Sequence, residues 1–363
     1  MKKSLVTAGL TALLAISMTA CSNNTTGTTG STTTQPPASS SSSTAPASSS
    51  STKAAASGYS LVPKDTNGDG LITLGFAQVG AESGWRTANT QSYKDYFVEK
   101  NGFKLVFADA NQDADKQKQD VRDLIAQGVE VIDLAPVTDS GWEPVLQEAK
   151  NAGIPLIVSD RQLSVSDDLY LTYFGGNMKQ EGDNAVKWLE DYIAKNNVTG
   201  PINIVHLQGT MGSTAQKGRS QALTDALAKH SDWKVVYEQT GEFTQAKGQE
   251  VMESFLQQNK DFNVIYSEND DMTYGAIDAM KNAGKDPKAP IIISFDGNKS
   301  AVQMVIDGYI DVIAECNPLL GPQVGDLIKK AKAGETIPKI TYSVEGVIDS
   351  ANAAEKIKTA FGS

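Results

Sequence analysis

The chain has 363 residues, 40% of them hydrophobic, which is enough for two ordinary domains once any tails are set aside. A formal net charge of −11, with no dense Lys/Arg run, argues against nucleic acid or an anionic membrane surface as the partner. His206, His230, Cys21 and Cys316 are too few and too scattered to suggest a His/Cys zinc cage, and neither metal nor cofactor is expected.

The N-terminus reads as an address. Lys2 and Lys3 precede an apolar run over 4–17, and Met-Thr-Ala-Cys closes it at 18–21. That run is too short to cross a bilayer with ease, so 1–21 is expected to be a signal peptide. Its last residues resemble a bacterial lipobox, which implies cleavage before Cys21 and lipidation of that residue. The chain is then held at the outer face of the cell membrane or in the periplasm. Cys316 remains as the second thiol, so no structural disulfide is expected. Residues 22–58 are Ser/Thr-rich, lack aromatics and cannot bury enough surface to fold. A flexible tether of that length reaches about 30–36 Å r.m.s.. At 65–70, Asp-Thr-Asn-Gly-Asp-Gly matches the first half of an EF-hand calcium loop. Position 12 of such a loop falls on Phe76, where a bidentate Glu belongs, so a turn before the first strand is the simpler account.

Short apolar, β-branched runs follow at 71–78, 104–110, 129–136, 154–160 and 169–175, and a second series at 202–209, 234–241, 263–269, 290–297 and 310–315. Amphipathic stretches separate them. Over 115–128, Val121, Leu124, Ile125 and Gly128 fall on one helical face, and 141–153 stops at Gly153 with Pro155 beyond. This alternation predicts an α/β chain whose parallel sheets are covered on both sides. Ten strands are too many for one sheet of this size, and the series restarts near 176. Two doubly wound parallel-sheet lobes are expected.

Ligands in such sheets bind beyond the carboxyl ends of the strands. The residues there form one list. The first series supplies Gln78, Ser83, Trp85, Arg86, Thr138, Trp142, Asp160 and Arg161; the second supplies Arg219, Phe243, Asn269, Asp270, Asp271, Asp296, Glu315 and Asn317. Carboxylates and amides accept hydrogen bonds, arginine donates in a fixed fork, and aromatic faces take the C–H face of a sugar ring. Three arginines against three or four carboxylates favour a neutral polyol over an anion. Each residue also has a plainer role. Trp85 could cap the core, Asn269 could be a helix N-cap, and Trp142 sits in a helical pattern that suits the interior.

Taken together, these residues resemble the type I periplasmic sugar-binding proteins, receptor subunits of ATP-driven importers. The similarity covers about 72–350 and rests on Val-Ser-Asp-Arg (158–161), the run 268–277 and Ser-Phe-Asp-Gly (294–297). The runs 78–86, 135–150, 207–212, 241–255 and 269–272 resemble the galactofuranose-binding branch. The resemblance implies a first lobe over 70–175 plus 317–342 and a second over 176–316 plus 343–363, joined by three crossings near 175–176, 315–317 and 342–344. It implies sugar contacts from Ser83, Trp85, Arg86, Asp160 and Arg161 on one lobe and Arg219, Phe243, Asn269 and Asp296 on the other, with Glu315 at a crossover. It also implies a monomer that closes around a monosaccharide and is read by permease subunits. Two positions depart from the pattern. Gly176 stands where the branch more often has Asp, and Ala135 where pentose binders place Asn, which favours a different or larger sugar than ribose.

Enzymatic motifs are lacking: there is no G-x-G-x-x-G after a strand, no Walker loop and no nucleophile elbow. The glycine-rich run 209–212 could suit a phosphate, but the neutral list favours a sugar. The alternatives that stay open are a ligand domain for a membrane sensor kinase or chemoreceptor and a carboxylate-pair glycosidase. Arg or Asn neighbours are expected to keep the carboxylates ionised and poor as general acids.

Overall fold

In the computed structural model the described residues are 61–362; the expected signal peptide, Cys21 and the tether over 22–58 lie outside them. From the N-terminal side the elements are β1 (Ile72–Gln78), α1 (Gly84–Tyr96), β2 (Phe103–Asp109), α2 (Ala114–Ala126), β3 (Val131–Leu134), α3 (Glu143–Asn151), β4 (Leu156–Ser159) and β5 (Thr172–Gly175). The second series runs α4 (Met178–Asn196), β6 (Ile202–Gln208), α5 (Thr214–Leu227), β7 (Trp233–Thr240), α6 (Gln245–Leu256), β8 (Val264–Ser267), α7 (Asp270–Asn282), β9 (Ile291–Asp296), α8 (Lys299–Ile306) and β10 (Val312–Glu315). Then come α9 (Gly321–Lys332), β11 (Ile340–Tyr342), β12 (Val347–Asp349) and α10 (Ala353–Lys356).

These strands make two six-stranded sheets, ordered β11-β5-β4-β3-β1-β2 and β12-β10-β9-β8-β6-β7. The first is parallel throughout, whereas β12 runs antiparallel to β10. Every residue of β3, β4, β5 and β8 is buried, as strands covered on both faces require. The chain passes between the sheets three times: after β5, after β10, and between β11 and β12. No helix among the described residues is long and apolar enough to cross a membrane.

Local chemistry fixes the helix starts that face the crevice. Ser83 caps α1 by accepting from Arg86 N at 3.1 Å, and Asn269 caps α7 by accepting from Met272 N at 2.9 Å. Gly218 lets α5 lie against α4, since a Cβ there would stand 2.7 Å from the Met178 carbonyl carbon. At 65–70 the side chains serve the turn itself. Asp65 accepts from Gly68 N (2.6 Å) and Gly70 N (2.8 Å), Asn67 from Asp69 N (2.9 Å), and Asp69 from Leu71 N (2.9 Å) while pairing with Lys104. Trp142 is fully buried in the first lobe and donates to Thr138 O at 2.7 Å, so it belongs to the core.

Candidate functional site

The carboxyl ends of both sheets meet across a narrow cleft. Its walls carry Glu82, Ser83, Trp85, Arg86, Asp160 and Arg161 from the first lobe and Met178, Ala215, Arg219, Phe243, Asn269 and Asp296 from the second, with Cys316 at a crossing. About 290 Å3 of atom-free space lies between the walls, and the lobes stand nearly shut. Direct contacts bridge them. Asp139 pairs with Lys217 at 2.7 Å, Gln162 N donates to Thr214 Oγ1 at 3.0 Å, and Gly84 N donates to Asp271 Oδ2 at 3.0 Å.

The first-lobe wall is a web of charge. Arg86 Nη2 lies 2.6 Å from Asp160 Oδ2, and its Nε donates to Glu82 Oε1 at 3.0 Å. Arg161 stands 3.7 Å from each of these carboxylates and donates to Val137 O at 3.3 Å. Burial opposes ionisation of Glu82, but Arg86 and Arg161 outweigh it and hold that carboxyl below the usual range. The Arg86 guanidinium stacks on the Trp85 ring at 4.6 Å, and the indole N–H donates to Cys316 O at 2.9 Å. Trp85 is therefore both part of the first-lobe core and a wall of the cleft. The Trp-Arg pair after β1 makes a rigid aromatic shelf with a fixed donor fork beside it.

The second-lobe wall is held more tightly. Arg219 donates to Glu181 Oε2 from Nε (2.9 Å) and Nη2 (2.7 Å), approaches Asp296 at 3.3 Å and donates to Glu268 O. Asn269 Nδ2 donates to Phe243 O at 3.0 Å. Phe243 adopts φ 62° and Asp296 φ 99°, left-handed backbone in which side chains rarely sit. Asp160 does the same on the opposite wall, at φ 61°. The Phe243 ring lies against Gly209, where any Cβ would occupy the ring's own space, and faces Arg161 at 5.3 Å. Burial pushes the Asp296 carboxyl well above the usual range despite Arg219, with Asp270 and Asp271 adding to the rise. The expectation that neighbours keep the carboxylates ionised thus fails at Asp296.

Of the ten sugar-contact residues proposed from sequence, nine line this cleft. The structure does not bring Glu315 there. Its carboxylate pairs with Lys356 at 2.7 Å, accepts from Gly346 N at 3.1 Å, and lines a separate cavity behind the crossings. The residue ends β10, and the α10 lysine satisfies it on the far side. Sequence reasoning passed over Glu82, although a Glu four residues before Arg86 at a helix start is a recognisable pair. It also missed Met178, Ala215 and Cys316, which carry no distinguishing signal.

A sequence model described as periplasmic binding protein domain matches residues 74–354. The galactofuranose-binding protein YtfQ of Escherichia coli (strain K12) is 39% identical over 273 residues, covering 74% of this chain and 84% of that one. A crystal structure from Mycobacterium smegmatis in complex with β-D-fucofuranose is 44% identical with a TM-score of 0.75, covering 78% of this chain and 93% of its own. The periplasmic binding component of the arabinose ABC transporter from Shewanella sp. ANA-3, bound to α- and β-L-arabinofuranose, is 38% identical with a TM-score of 0.74, covering 79% and 95%.

Proposed function

From the premise that the chain belongs to the periplasmic binding protein family, we propose that it is the extracytoplasmic receptor of an ATP-driven importer and captures a neutral monosaccharide in its furanose form. The observation that carries this reading is the composition of the cleft. Three arginines face Glu82, Asp160, Asp296 and, behind them, Glu181, between the aromatic rings of Trp85 and Phe243. Such a site carries no surplus of cations for an anionic ligand and offers a ring both flat faces and paired donors and acceptors. The furanose preference rests on the sugars bound by the relatives.

The assignment extends to the whole chain. The lobes are 70–175 plus 317–342 and 176–316 plus 343–363, hinged at the three crossings. The sugar favours the shut form by contacts that only that form makes, and permease subunits read the shut surface. A lipid on Cys21 would tether a monomeric receptor through 22–58. The relatives are binding proteins, and we infer that this chain likewise catalyses no reaction.

Thermal-shift and calorimetric titration with D-galactose, D-fucose, L-arabinose, D-ribose and D-fructose tests the reading. One or more of these raises the melting temperature of the wild-type protein and binds in a 1:1 ratio without turnover. Trp85→Ala removes the shift. A flat response to every sugar, or product formation from a galactofuranoside, overturns the assignment.

A further inference from the structure

Behind the second-lobe wall lies a buried charged relay that the cleft itself does not include. His206 on β6 is almost wholly enclosed, and both ring nitrogens face carboxylates: Nδ1 to Glu238 Oε2 at 2.8 Å and Nε2 to Glu268 Oε1 at 3.0 Å. Glu238 on β7 is half exposed, whereas Glu268 is fully buried. The edge of the imidazole also meets Tyr266 on β8, with ring centroids 5.3 Å apart at 84°. Charged or titratable groups around His206 are therefore Glu238, Glu268 and Tyr266, with Arg219 of α5 one contact further on.

Glu268 connects this relay to the ligand wall. Its carboxylate accepts from Ser220 Oγ at 2.6 Å and from Gly209 N at 2.7 Å, and its carbonyl accepts from Arg219 Nη1. Gly209 is the seat of the Phe243 ring. Asn269, the next residue, caps α7 and holds Phe243 O. Tyr266 OH adds a second link by donating to Arg219 O at 3.0 Å. Three of the four ligand-facing residues with polar or aromatic side chains on this lobe thus connect to one residue: Phe243 through the Glu268 carboxylate on Gly209 N, Arg219 through the Glu268 carbonyl, and Asn269 through the peptide bond, while His206 faces the carboxylate.

We propose that His206, as an imidazolium held between Glu238 and Glu268, is a positioning residue for sugar binding, setting the seats of Arg219, Phe243 and Asn269 without touching the sugar. A neutral imidazole leaves the Glu268 charge uncompensated in a dry site, where it draws its other donors out of register. Burial alone would lower the His206 pKa, but the hydrogen bonds it donates to Glu238 and Glu268 outweigh it and push it up to about 9. A group raised in this way contributes below its ordinary value near 6.5 and is lost as pH rises through about 9. The His206 contribution to affinity therefore holds steady from pH 6 to 8 and weakens above.

This inference rests on the sugar-binding reading, and its test separates the two. Calorimetry uses whichever sugar of the five-member panel gives the largest thermal shift with the wild-type protein, across pH 6 to 10. His206→Gln is expected to bind about tenfold more weakly at pH 7, within the usual range of coupling between sites, and to lose the alkaline fall. Glu238→Gln, at a half-exposed position, keeps the imidazole but moves the fall to lower pH. If His206→Gln does not fold, the shift in Glu238→Gln decides the matter alone. Unchanged affinity and pH profile in both variants, even with a lowered melting temperature, makes His206 merely structural and overturns the inference while the sugar reading stands. If the wild-type protein takes up no sugar, both fall.

Discussion

On the first-lobe wall of the cleft, Glu82 Oε2, Arg86 Nη1 and Arg161 Nε are buried without hydrogen-bond partners. On the second-lobe wall, Arg219 is spent on Glu181, Asp296 and a backbone carbonyl, both ends of the Asn269 amide are taken, and the unpartnered Glu181 Oε1 lies behind the wall and not on it. The two walls use similar residue types, but their polar atoms differ in what remains available. Buried donors and acceptors are normally satisfied, so under the proposed function the loose ends on the first wall are where a ligand's hydroxyls would go. The second wall supplies shape: a fixed ring, a fixed charge and a backbone held at positive φ. On that reading recognition is concentrated on one lobe, and the other acts as a preset lid.

Removing an arginine is the largest available blow to this division. Within the protein the Arg161 guanidinium has 3.7 Å ion pairs, one 3.3 Å hydrogen bond and the Phe243 ring at 5.3 Å, and no close carboxylate of its own. Arg161→Ala is therefore expected to cost more than about 100-fold in affinity, as losing a buried charge partner does, with a modest drop in stability. Arg86 holds both Glu82 and Asp160 at close range. Arg86→Ala then strands two buried carboxylates and lowers unfolding free energy by about 3–5 kcal/mol. Denaturant titration beside calorimetry reads the two effects apart. If Arg161→Ala binds normally, the first wall is not the recognition wall.

A smaller effect probes the lid. Gly209→Ala forces the Phe243 ring from its place, because the new methyl group would overlap it. About tenfold weaker sugar binding is expected, with little change in the first-wall charge web, since overpacking of this kind typically costs about 1–3 kcal/mol. A crystal structure of the variant with Phe243 unmoved would contradict the preset lid.

How much of this was legible in the sequence differs in the same way between regular and irregular parts. Buried parallel strands read as unbroken apolar runs, and β1 to β10 fall within three residues of the stretches read at their positions. By contrast, β11 and β12 have three residues each and are only partly buried, so neither forms a run, and just a crossing was visible there. Residues placed immediately after strands could be gathered because topology dictates where they point. Glu315 escaped that logic: it is the last residue of its strand, and Lys356, forty-one positions on, decides which way it turns. His206 looked like an isolated histidine, since Glu238 and Glu268 join it only through sheet register.

The contact between the walls has its own pH signature. Asp271 accepts from Gly84 N across the cleft, and burial pushes its carboxyl up to about 6, with that N–H opposing the rise. A raised carboxyl means the shut form holds a proton that an opened, solvated Asp271 releases. Shutting is thus favoured at low pH and weakens as pH rises from the ordinary value of 3.8 through about 6. Affinity should fall over that window and stay level above it, until the histidine relay titrates. Asp271→Asn, which keeps an acceptor but cannot ionise, should flatten the acid limb alone. An acid limb that persists in this variant assigns it elsewhere, with Asp296 the next candidate.

Glu315 supplies the smallest expected effect and the sharpest control on where the cleft ends. Its pair with Lys356 is partly exposed on both sides, so Glu315→Gln should lower stability by no more than about 1 kcal/mol. The carboxylate faces the cavity behind the crossings, so sugar affinity at pH 7 should match the wild-type value within twofold. Equal affinity confines recognition to the front of the hinge, on the wall that carries the loose ends. A clear loss would mean that the shut form depends on the Lys356 pair holding the third crossing, and the lid could then no longer be treated as independent of the hinge behind it.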